Sequence, residues 1–280
     1  MARLNTVGYE ARNGVNAVRH SSALEKLTRV GFACKGLVYF LIGILALMAA
    51  FGNGGETTDQ KGVLNRIAGQ PFGEFALAVI GVGLLAYAVW RFCSAVYDTE
   101  GDGSSGKGMA KRAGYVVSGI IYTSVAFYAI RMVTGDGGGS GTTGASLTAR
   151  LMNAPAGTLL VIAVGIAVII AGVMQFRDGF SGKFMKRMRT NEMSETERDA
   201  AAKAGKWGYA ARGVVFGILG WFFINAAISH NPGEVRGLDG ALDTLASQSF
   251  GPWLLGAVAL GLMGYGVFCV FQARYRTVQH

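Results

Sequence analysis

The 280-residue sequence is poor in acidic residues, histidine, cysteine and proline. It has 17 Asp and Glu residues, 3 His, 3 Cys and 4 Pro, and charged residues make up only 15% of the chain. A disordered chain needs high charge with low hydrophobicity. With 51% hydrophobic residues this chain has the opposite balance, which excludes disorder and argues against a soluble enzyme. The scarcity of proline and the lack of a three-residue glycine period exclude collagen.

Few residues could carry catalysis or bind a metal. The three histidines all lie outside the long apolar segments, so no pair of imidazoles is placed to bind haem in a membrane. The run from Gly139 to Gly144 has the glycine spacing of a dinucleotide-binding motif. No predicted strand precedes it, so we do not interpret it as a nucleotide site. The run from Asp98 to Gly103 imitates a calcium loop, but Met109 stands where a bidentate Glu is needed, and we interpret this run as a solvated linker. We expect no catalytic residue, no metal site and no cofactor.

The hydrophobic residues are concentrated in six stretches, each long enough for a helix to cross the bilayer core, which takes about 20 apolar residues. No acidic residue interrupts their apolar parts, and all four prolines lie in loops or near helix starts, where proline is tolerated. The core helices of a large soluble protein rarely supply six such runs. We therefore predict six transmembrane helices, over residues 30–51, 72–96, 113–134, 156–176, 207–228 and 251–271.

Positive charges are distributed unevenly between the two ends of these helices. With both termini on one side, that side holds 21 of the 26 Lys and Arg residues and the other side holds 5. Because cytoplasmic loops carry the excess of positive charge, we predict cytoplasmic termini, with residues 52–70, 135–154 and 230–249 outside. This topology accounts for the pI of about 9.6, so we expect no nucleic-acid partner. The three cysteines fall near the reducing side, and no disulfide is expected.

Self-comparison reveals three copies of a two-helix unit. The segment from Arg29 to Gly36 aligns without gaps to 112–119 and to 206–213, with a base at the start, glycines at the third and eighth positions and an aromatic residue at the fourth. The second helix of each unit repeats a pattern of small residues and tyrosine, at Gly83 and Tyr87, at Ala167 and Ala171, and at Gly261 and Tyr265. The loop before each second helix shares a short amphipathic element that is predicted to lie at the outer surface.

Each unit contains two spans, so all three units enter the membrane in the same direction. We predict an all-α polytopic membrane protein, with six transmembrane helices as three parallel helical-hairpin repeats around a pseudo-threefold axis. A polar N-terminus (1–22) precedes repeats over 23–100, 107–190 and 191–276, the last with a cytoplasmic amphipathic lead-in. Ser22-x-x-Glu25 and Ser194-x-x-Glu197 predict helix-capping boxes. Glycine lets helix backbones approach closely in lipid, so we expect packing contacts at Gly36, Gly119, Gly213 and Gly217.

Three tandem two-helix repeats, each opening in this glycine and aromatic pattern, resemble the bacterial membrane family catalogued as domain of unknown function 1206. The resemblance covers about residues 23–276. It implies a six-span protein of the bacterial cytoplasmic (inner) membrane, and it brings no activity, substrate or catalytic residue. The middle repeat departs from the pattern, since Ser118 replaces the base at positions 35 and 212 and Ala171 replaces the tyrosine.

Polar residues near the cytoplasmic ends of the spans form the candidate site. Lys35 and Arg212 occupy equivalent positions about one turn inside the membrane. One interpretation is that they extend to the lipid headgroups. The other is a basic and aromatic pocket between hairpins that binds an anionic headgroup, or another phosphate or carboxylate. The candidate binding residues are Lys35, Arg212, Arg29, Arg112, Lys206, Tyr39, Tyr87, Arg91 and Tyr265.

We therefore expect a structural or lipid-binding membrane protein without catalysis, with membrane lipids, including anionic ones, as its partners. A small transporter or channel along the pseudo-threefold axis is the alternative, which the lack of intramembrane acids and broken helices disfavours. Contacts with other membrane proteins or with further copies of the chain stay open.

Overall fold

The computed structural model describes residues 22–52, 55–135 and 144–277. These residues form nine α-helices and three short 3₁₀ turns, at Lys183–Arg187, Thr190–Glu192 and Pro232–Glu234. The helices are α1 Ser22–Ala50, α2 Gln60–Ala68, α3 Gly73–Tyr97, α4 Gly106–Val133, α5 Gly144–Met152, α6 Gly157–Ser181, α7 Glu195–Ile228, α8 Leu238–Ala246 and α9 Gly251–Tyr275. Most of the predicted polar N-terminus, most of the glycine run at 139–144 and the side chain of Ser22 lie outside the described residues.

Six helices, α1, α3, α4, α6, α7 and α9, are long and apolar enough to cross a membrane, which confirms the six-span, all-α prediction. They extend beyond the predicted apolar stretches at the end of the bundle near Ser105 and Ser194. Ser105 caps α4 by accepting a hydrogen bond from the Gly108 amide at 3.2 Å. The capping box predicted at Ser194 is present, with Glu197 as its partner. These caps satisfy amide groups at helix starts, so the helices begin before the apolar residues do.

The three predicted amphipathic elements are the short helices α2, α5 and α8, each of nine residues. Leu64 of α2 and Leu242 of α8 are fully buried, so these helices pack on the bundle rather than lying free at its surface. The glycine that opens each following span is required by this packing. A methyl group at Gly73, Gly157 or Gly251 would collide with a carbonyl oxygen at the end of the preceding short helix.

The closest helix pairs join neighbouring repeats: α1 with α9, α3 with α4, and α6 with α7. Glycines make these contacts. A methyl group at Gly36 would stand 2.7 Å from the Gly266 carbonyl oxygen, and one at Gly213 would stand 2.8 Å from that of Gly172. At the equivalent Gly119, the nearest atoms belong to the Phe92 ring, at 2.8 Å. Gly217 differs from the expectation, because a methyl group there would meet open space.

Helices within a repeat pack in two of the three cases. In repeats one and three, α1 packs on α3 and α7 on α9, where Gly31 lies against the backbone of Tyr87 and Gly208 against that of Tyr265. In repeat two, α4 and α6 are not among the closely packed pairs of the described residues, and a methyl group at the equivalent Gly114 would meet nothing within 4 Å. The six spans therefore form an arc in the order α4, α3, α1, α9, α7, α6, with a loose seam between α4 and α6.

Candidate site: a cationic cluster inside the helix bundle

Lys35 lies inside the bundle rather than at its surface. Lys35 is only 2% exposed, and its Nζ donates a hydrogen bond to the Tyr87 hydroxyl at 2.8 Å. The same Nζ lies 4.4 Å from the centre of the Tyr87 ring, 5.0 Å from that of Tyr122 and 5.3 Å from that of Tyr265. The interpretation that this lysine extends to the headgroups is therefore wrong for the described structure. The chain turns the ammonium group toward aromatic faces, which attract cations.

Arg212, the equivalent residue on α7, faces the same interior. Its guanidinium carbon lies 4.3 Å from the Tyr265 ring centre and 5.5 Å from that of Tyr39. Its Nε is buried and has no hydrogen-bond acceptor among the described residues. Unlike Lys35, the arginine residue as a whole is partly exposed. A strong donor thus stays unsatisfied in a low-dielectric interior, which costs free energy.

Arg91 reaches the cluster through Tyr87. Its Nε donates to the Tyr87 hydroxyl at 2.8 Å, so this hydroxyl accepts from both Lys35 and Arg91. The guanidinium group also lies 4.4 Å from Trp90 and 5.0 Å from Tyr115, measured to the ring centres. A single phenol oxygen therefore holds two cations, which fixes their position relative to each other.

Tyr122 belongs to the site, although the sequence analysis did not include it. Its hydroxyl donates to that of Tyr39 at 3.3 Å, and its ring packs edge-on against Tyr87 at 4.7 Å. Positions 39, 122 and 216 are equivalent in the three repeats, and this equivalence was the available signal. We call the following seven residues the cationic cluster: Lys35, Arg91, Arg212, Tyr39, Tyr87, Tyr122 and Tyr265.

The other candidate bases lie elsewhere and have partners of their own. Arg29 pairs with Glu25 at 2.7 Å on the surface. Arg112 donates to the carbonyl oxygens of Ala95 and Val96, at the end of α3. Lys206 lies over the rings of two neighbouring aromatic residues, Phe180 and Trp207. These three bases precede Lys35, Ser118 and Arg212 by six residues, which places them nearly two turns away, so the structure does not bring them into the cluster.

The cationic cluster contains three bases and no carboxylate. Among the described residues, neither Lys35 nor Arg212 forms an ion pair. A desolvated contact between a cation and an aromatic ring contributes about 2 kcal/mol, whereas removing an ion from water costs several kcal/mol even after the protein relaxes. The tyrosines therefore offset part of the cost of burying the two charges. An anion bound between them would supply the missing charge.

A second polar assembly closes the end of the bundle on the side of the 98–105 loop. The Glu100 carboxylate accepts from Arg276 at 2.8 and 2.9 Å, and Arg187 lies 2.7 Å from it. Asp102 accepts from Tyr115 at 2.5 Å and from Lys111, and pairs with Arg187 at 3.2 Å. The solvated linker expected at 98–103 is thus wrong, because both carboxylates are buried and paired. We call Glu100, Asp102, Arg187 and Arg276 the ionic hub.

The hub shifts the acidity of its members. Burial alone would raise the pKa of Glu100, but the guanidinium groups of Arg276 and Arg187 outweigh it and hold that pKa below its ordinary value. Burial likewise opposes the hydrogen bonds from Lys111 and Tyr115 at Asp102, and the pKa of Asp102 is also lowered. Both carboxylates therefore stay ionised at neutral pH, and they join the two linkers between repeats to the C-terminal end of α9.

Comparisons with known proteins agree with the repeat architecture. A protein of Bacillus subtilis (strain 168) named "Uncharacterized protein YxxB" is 36% identical over 253 residues, which cover 90% of this chain and 91% of that protein. No solved structure matches the chain. The family model described as Domain of Unknown Function (DUF1206) matches three times, at residues 30–98, 113–182 and 207–276, so this multi-pass membrane chain belongs to that family.

Proposed function

We propose that the protein binds an anionic group, a phosphate or a carboxylate, at the cationic cluster, and that it does so without catalysis. One observation carries the proposal. Lys35 and Arg212 are turned into the bundle, contact aromatic rings, and have no carboxylate partner among the described residues. Ionisable residues inside a membrane domain mark functional sites by default. A bound anion is the partner that would balance the two charges.

Binding is favoured over catalysis because the cluster consists of cations and phenols, which suit the binding of an anion, and contains neither imidazole, the most frequent general acid or base, nor a carboxylate. Binding is also favoured over conduction along the axis. The hydroxyl groups of Tyr39 and Tyr122 contact each other at 3.3 Å, and the rings of Tyr39 and Tyr265 lie 5.0 Å apart. Aromatic side chains thus contact one another across the region between the helices, which disfavours the transporter or channel alternative.

The proposed location is the bacterial cytoplasmic membrane, with both termini and the ionic hub in the cytoplasm. The excess of Lys and Arg at that end supports this orientation. It is tested in a chain whose three native cysteines are replaced by alanine. Ser104→Cys, in the loop before α4, should react with a membrane-impermeant maleimide only after the cells are opened. Ser247→Cys, after α8, should react in intact cells, and the reverse pattern would overturn the orientation.

The binding proposal is tested by thermal unfolding of the purified protein in a neutral detergent. One arm adds phosphatidylglycerol, with phosphatidylcholine as the neutral lipid control, and the other adds inorganic phosphate. A ligand that binds only the folded state at about 100 times its Kd stabilises it by about 2.7 kcal/mol. We expect stabilisation by an anion in the wild type and none in the Lys35→Met, Arg212→Met double variant, which keeps side-chain volume and removes both charges.

A matched control removes two bases from the same two helices outside the cluster, as Arg29→Ala and Lys206→Ala. This control should keep the full response to the anion. Equal stabilisation of the wild type and the Lys35, Arg212 variant would refute the site, and so would the absence of any anion response in the wild type. Stabilisation by phosphatidylglycerol alone identifies a lipid headgroup as the ligand, whereas stabilisation by inorganic phosphate alone identifies a soluble anion.

A further inference from the structure

The three repeats bury the same positions to very different extents. Position 34 is 8% exposed and its equivalent at 211 is 6% exposed, but Val117 in repeat two is 57% exposed. One turn further, Val38 and Val215 are 2% and 3% exposed, whereas Ile121 is 50% exposed. On the second helix, Ile80 is buried and Val164 is exposed. Positions that are buried in repeats one and three are therefore exposed in repeat two.

These positions and their neighbours line the gap between α4 and α6, which do not pack closely, and we call this gap the lateral opening. Its α4 wall consists of Gly114, Val117 and Ile121, and its α6 wall consists of Val164, Ala167 and Ala171. Small residues account for the gap. Ala171 stands where Tyr87 and Tyr265 fill the seams of the other repeats and lie against Gly31 and Gly208. Ala171 therefore supplies only a methyl group at the level where the other two repeats place a phenol ring.

The opening leads toward the cationic cluster. Lys35, Ser118 and Arg212 occupy equivalent positions in the three repeats. Lys35, on α1, is closed off, whereas Ser118, on α4, and Arg212, on the helix packed against α6, are both partly exposed. The Nε of Arg212 is buried and lacks an acceptor among the described residues. The side of the cluster with unsatisfied polar capacity is thus the side nearest the opening.

We propose that this lateral opening admits one anionic amphiphile from the membrane, with its acyl chain between α4 and α6 and its phosphate or carboxylate at Arg212 and Lys35. This inference rests on the proposed anion binding and names the ligand class. Charge complementarity selects the occupant, because the walls are apolar while Lys35 and Arg212 behind them have no ion-pair partner among the described residues. A neutral lipid would not neutralise the charges of the two bases, and a soluble anion would bury no apolar surface against the walls.

The test blocks the opening without touching the cluster. Ala167→Trp places an indole on the α6 wall, where the residue is exposed and the added side chain meets no packed core. Ile166→Trp is the matched control, because Ile166 and its equivalents Val82 and Leu260 are exposed on the outside of the bundle in all three repeats. Val117→Trp blocks the opposite wall and serves as an independent second variant. Each protein is titrated with phosphatidylglycerol and with inorganic phosphate, and thermal unfolding is recorded.

We expect both wall variants to bind phosphatidylglycerol at least tenfold more weakly than the wild type, and Ile166→Trp to bind it with wild-type affinity. Full phosphatidylglycerol affinity in both wall variants would overturn the lateral opening and leave anion binding at the cluster standing. A wild type that responds to inorganic phosphate but not to phosphatidylglycerol would overturn the amphiphile and also leave anion binding standing. A wild type that responds to neither overturns the proposed function itself.

Discussion

Alanine substitution of three equivalent glycines should separate the tight seams of the bundle from the loose one. The glycines are Gly31, Gly114 and Gly208, which occupy equivalent positions inside the first long helix of each repeat. A methyl group at Gly208 would stand 2.6 Å from the Tyr265 Cα, and one at Gly31 would stand 2.7 Å from the Tyr87 backbone nitrogen. Both atoms belong to the backbone of a packed helix, so relief requires the two helices to move apart. A methyl group at Gly114 meets nothing within 4 Å.

The expected magnitudes follow from two opposing effects. Alanine is favoured over glycine inside a helix by up to about 1 kcal/mol, and this gain applies at all three sites. Overpacking a well-packed contact costs about 1–3 kcal/mol, and this cost applies only at Gly31 and Gly208. Gly208→Ala and Gly31→Ala should therefore be less stable than Gly114→Ala by about 1–3 kcal/mol. For a chain of this size each kcal/mol shifts Tm by roughly 2–4 °C.

The assay is thermal unfolding of the three variants in the same detergent, followed by circular dichroism at 222 nm (a wavelength that reports helix content). Gly114→Ala should unfold at or above the wild-type temperature, and the other two below it. If Gly208→Ala and Gly114→Ala unfold at the same temperature, the seams of repeats two and three do not differ and the packing described for α4 and α6 is wrong.

Further predictions concern the ionic hub and the caps. Glu100→Gln should destabilise the protein by about 3–5 kcal/mol in denaturation measurements at neutral pH, because it leaves Arg276 buried without its carboxylate. Since the folded-state pKa of Glu100 is lowered, its contribution is present above the ordinary carboxyl pKa and lost as pH falls through the folded-state value. Wild type should therefore lose stability on acidification more steeply than Glu100→Gln, and parallel pH profiles would contradict the hub. Ser194→Ala should cost about 1 kcal/mol and speed hydrogen exchange at the Glu197 amide, which Ser194 caps at 3.3 Å; unchanged exchange there would show that the cap contributes nothing.

The amino-acid pattern was sufficient to predict the helices, because each span is a continuous apolar run. The repeats could be recognised because they have glycines at equivalent positions. The alignment of the repeats also predicted that Lys35 and Arg212 lie on equivalent helix faces, close to tyrosines. Self-comparison does not show which helices touch most closely. The pairing of α1 with α9 joins residues near opposite ends of the chain, and it depends on the order of six helices around an axis.

Two features were beyond the reach of sequence pattern. Glu100 and Asp102 sit in a short glycine-rich run that is typical of a solvated loop, and only the meeting of that loop with Arg187 and Arg276 makes them buried. Ser118 and Ala171 distinguish repeat two from the other repeats in the sequence, because they replace the base and the tyrosine found there. The gap between α4 and α6, however, depends on how the helices pack around a position that lacks a bulky side chain. The sequence pattern alone does not predict this packing.

The contact between α1 and α9 has a consequence for how the protein is made. Of these six spans, α1 is synthesised before the other five and α9 after them, yet Gly36 and Gly266 form one of the tightest seams. Before α9 has been synthesised, the Gly36 face of α1 has no α9 to pack against, and Glu100 lacks Arg276, the next residue after α9. The loose seam lies between consecutive spans of the chain, α4 and α6, whereas the tight seam joins α1 and α9, which are separated in sequence by the other four spans. A chain without the last repeat therefore leaves the Gly36 face of α1 unpacked and Glu100 without Arg276, so the first repeat is completed only when the third is present.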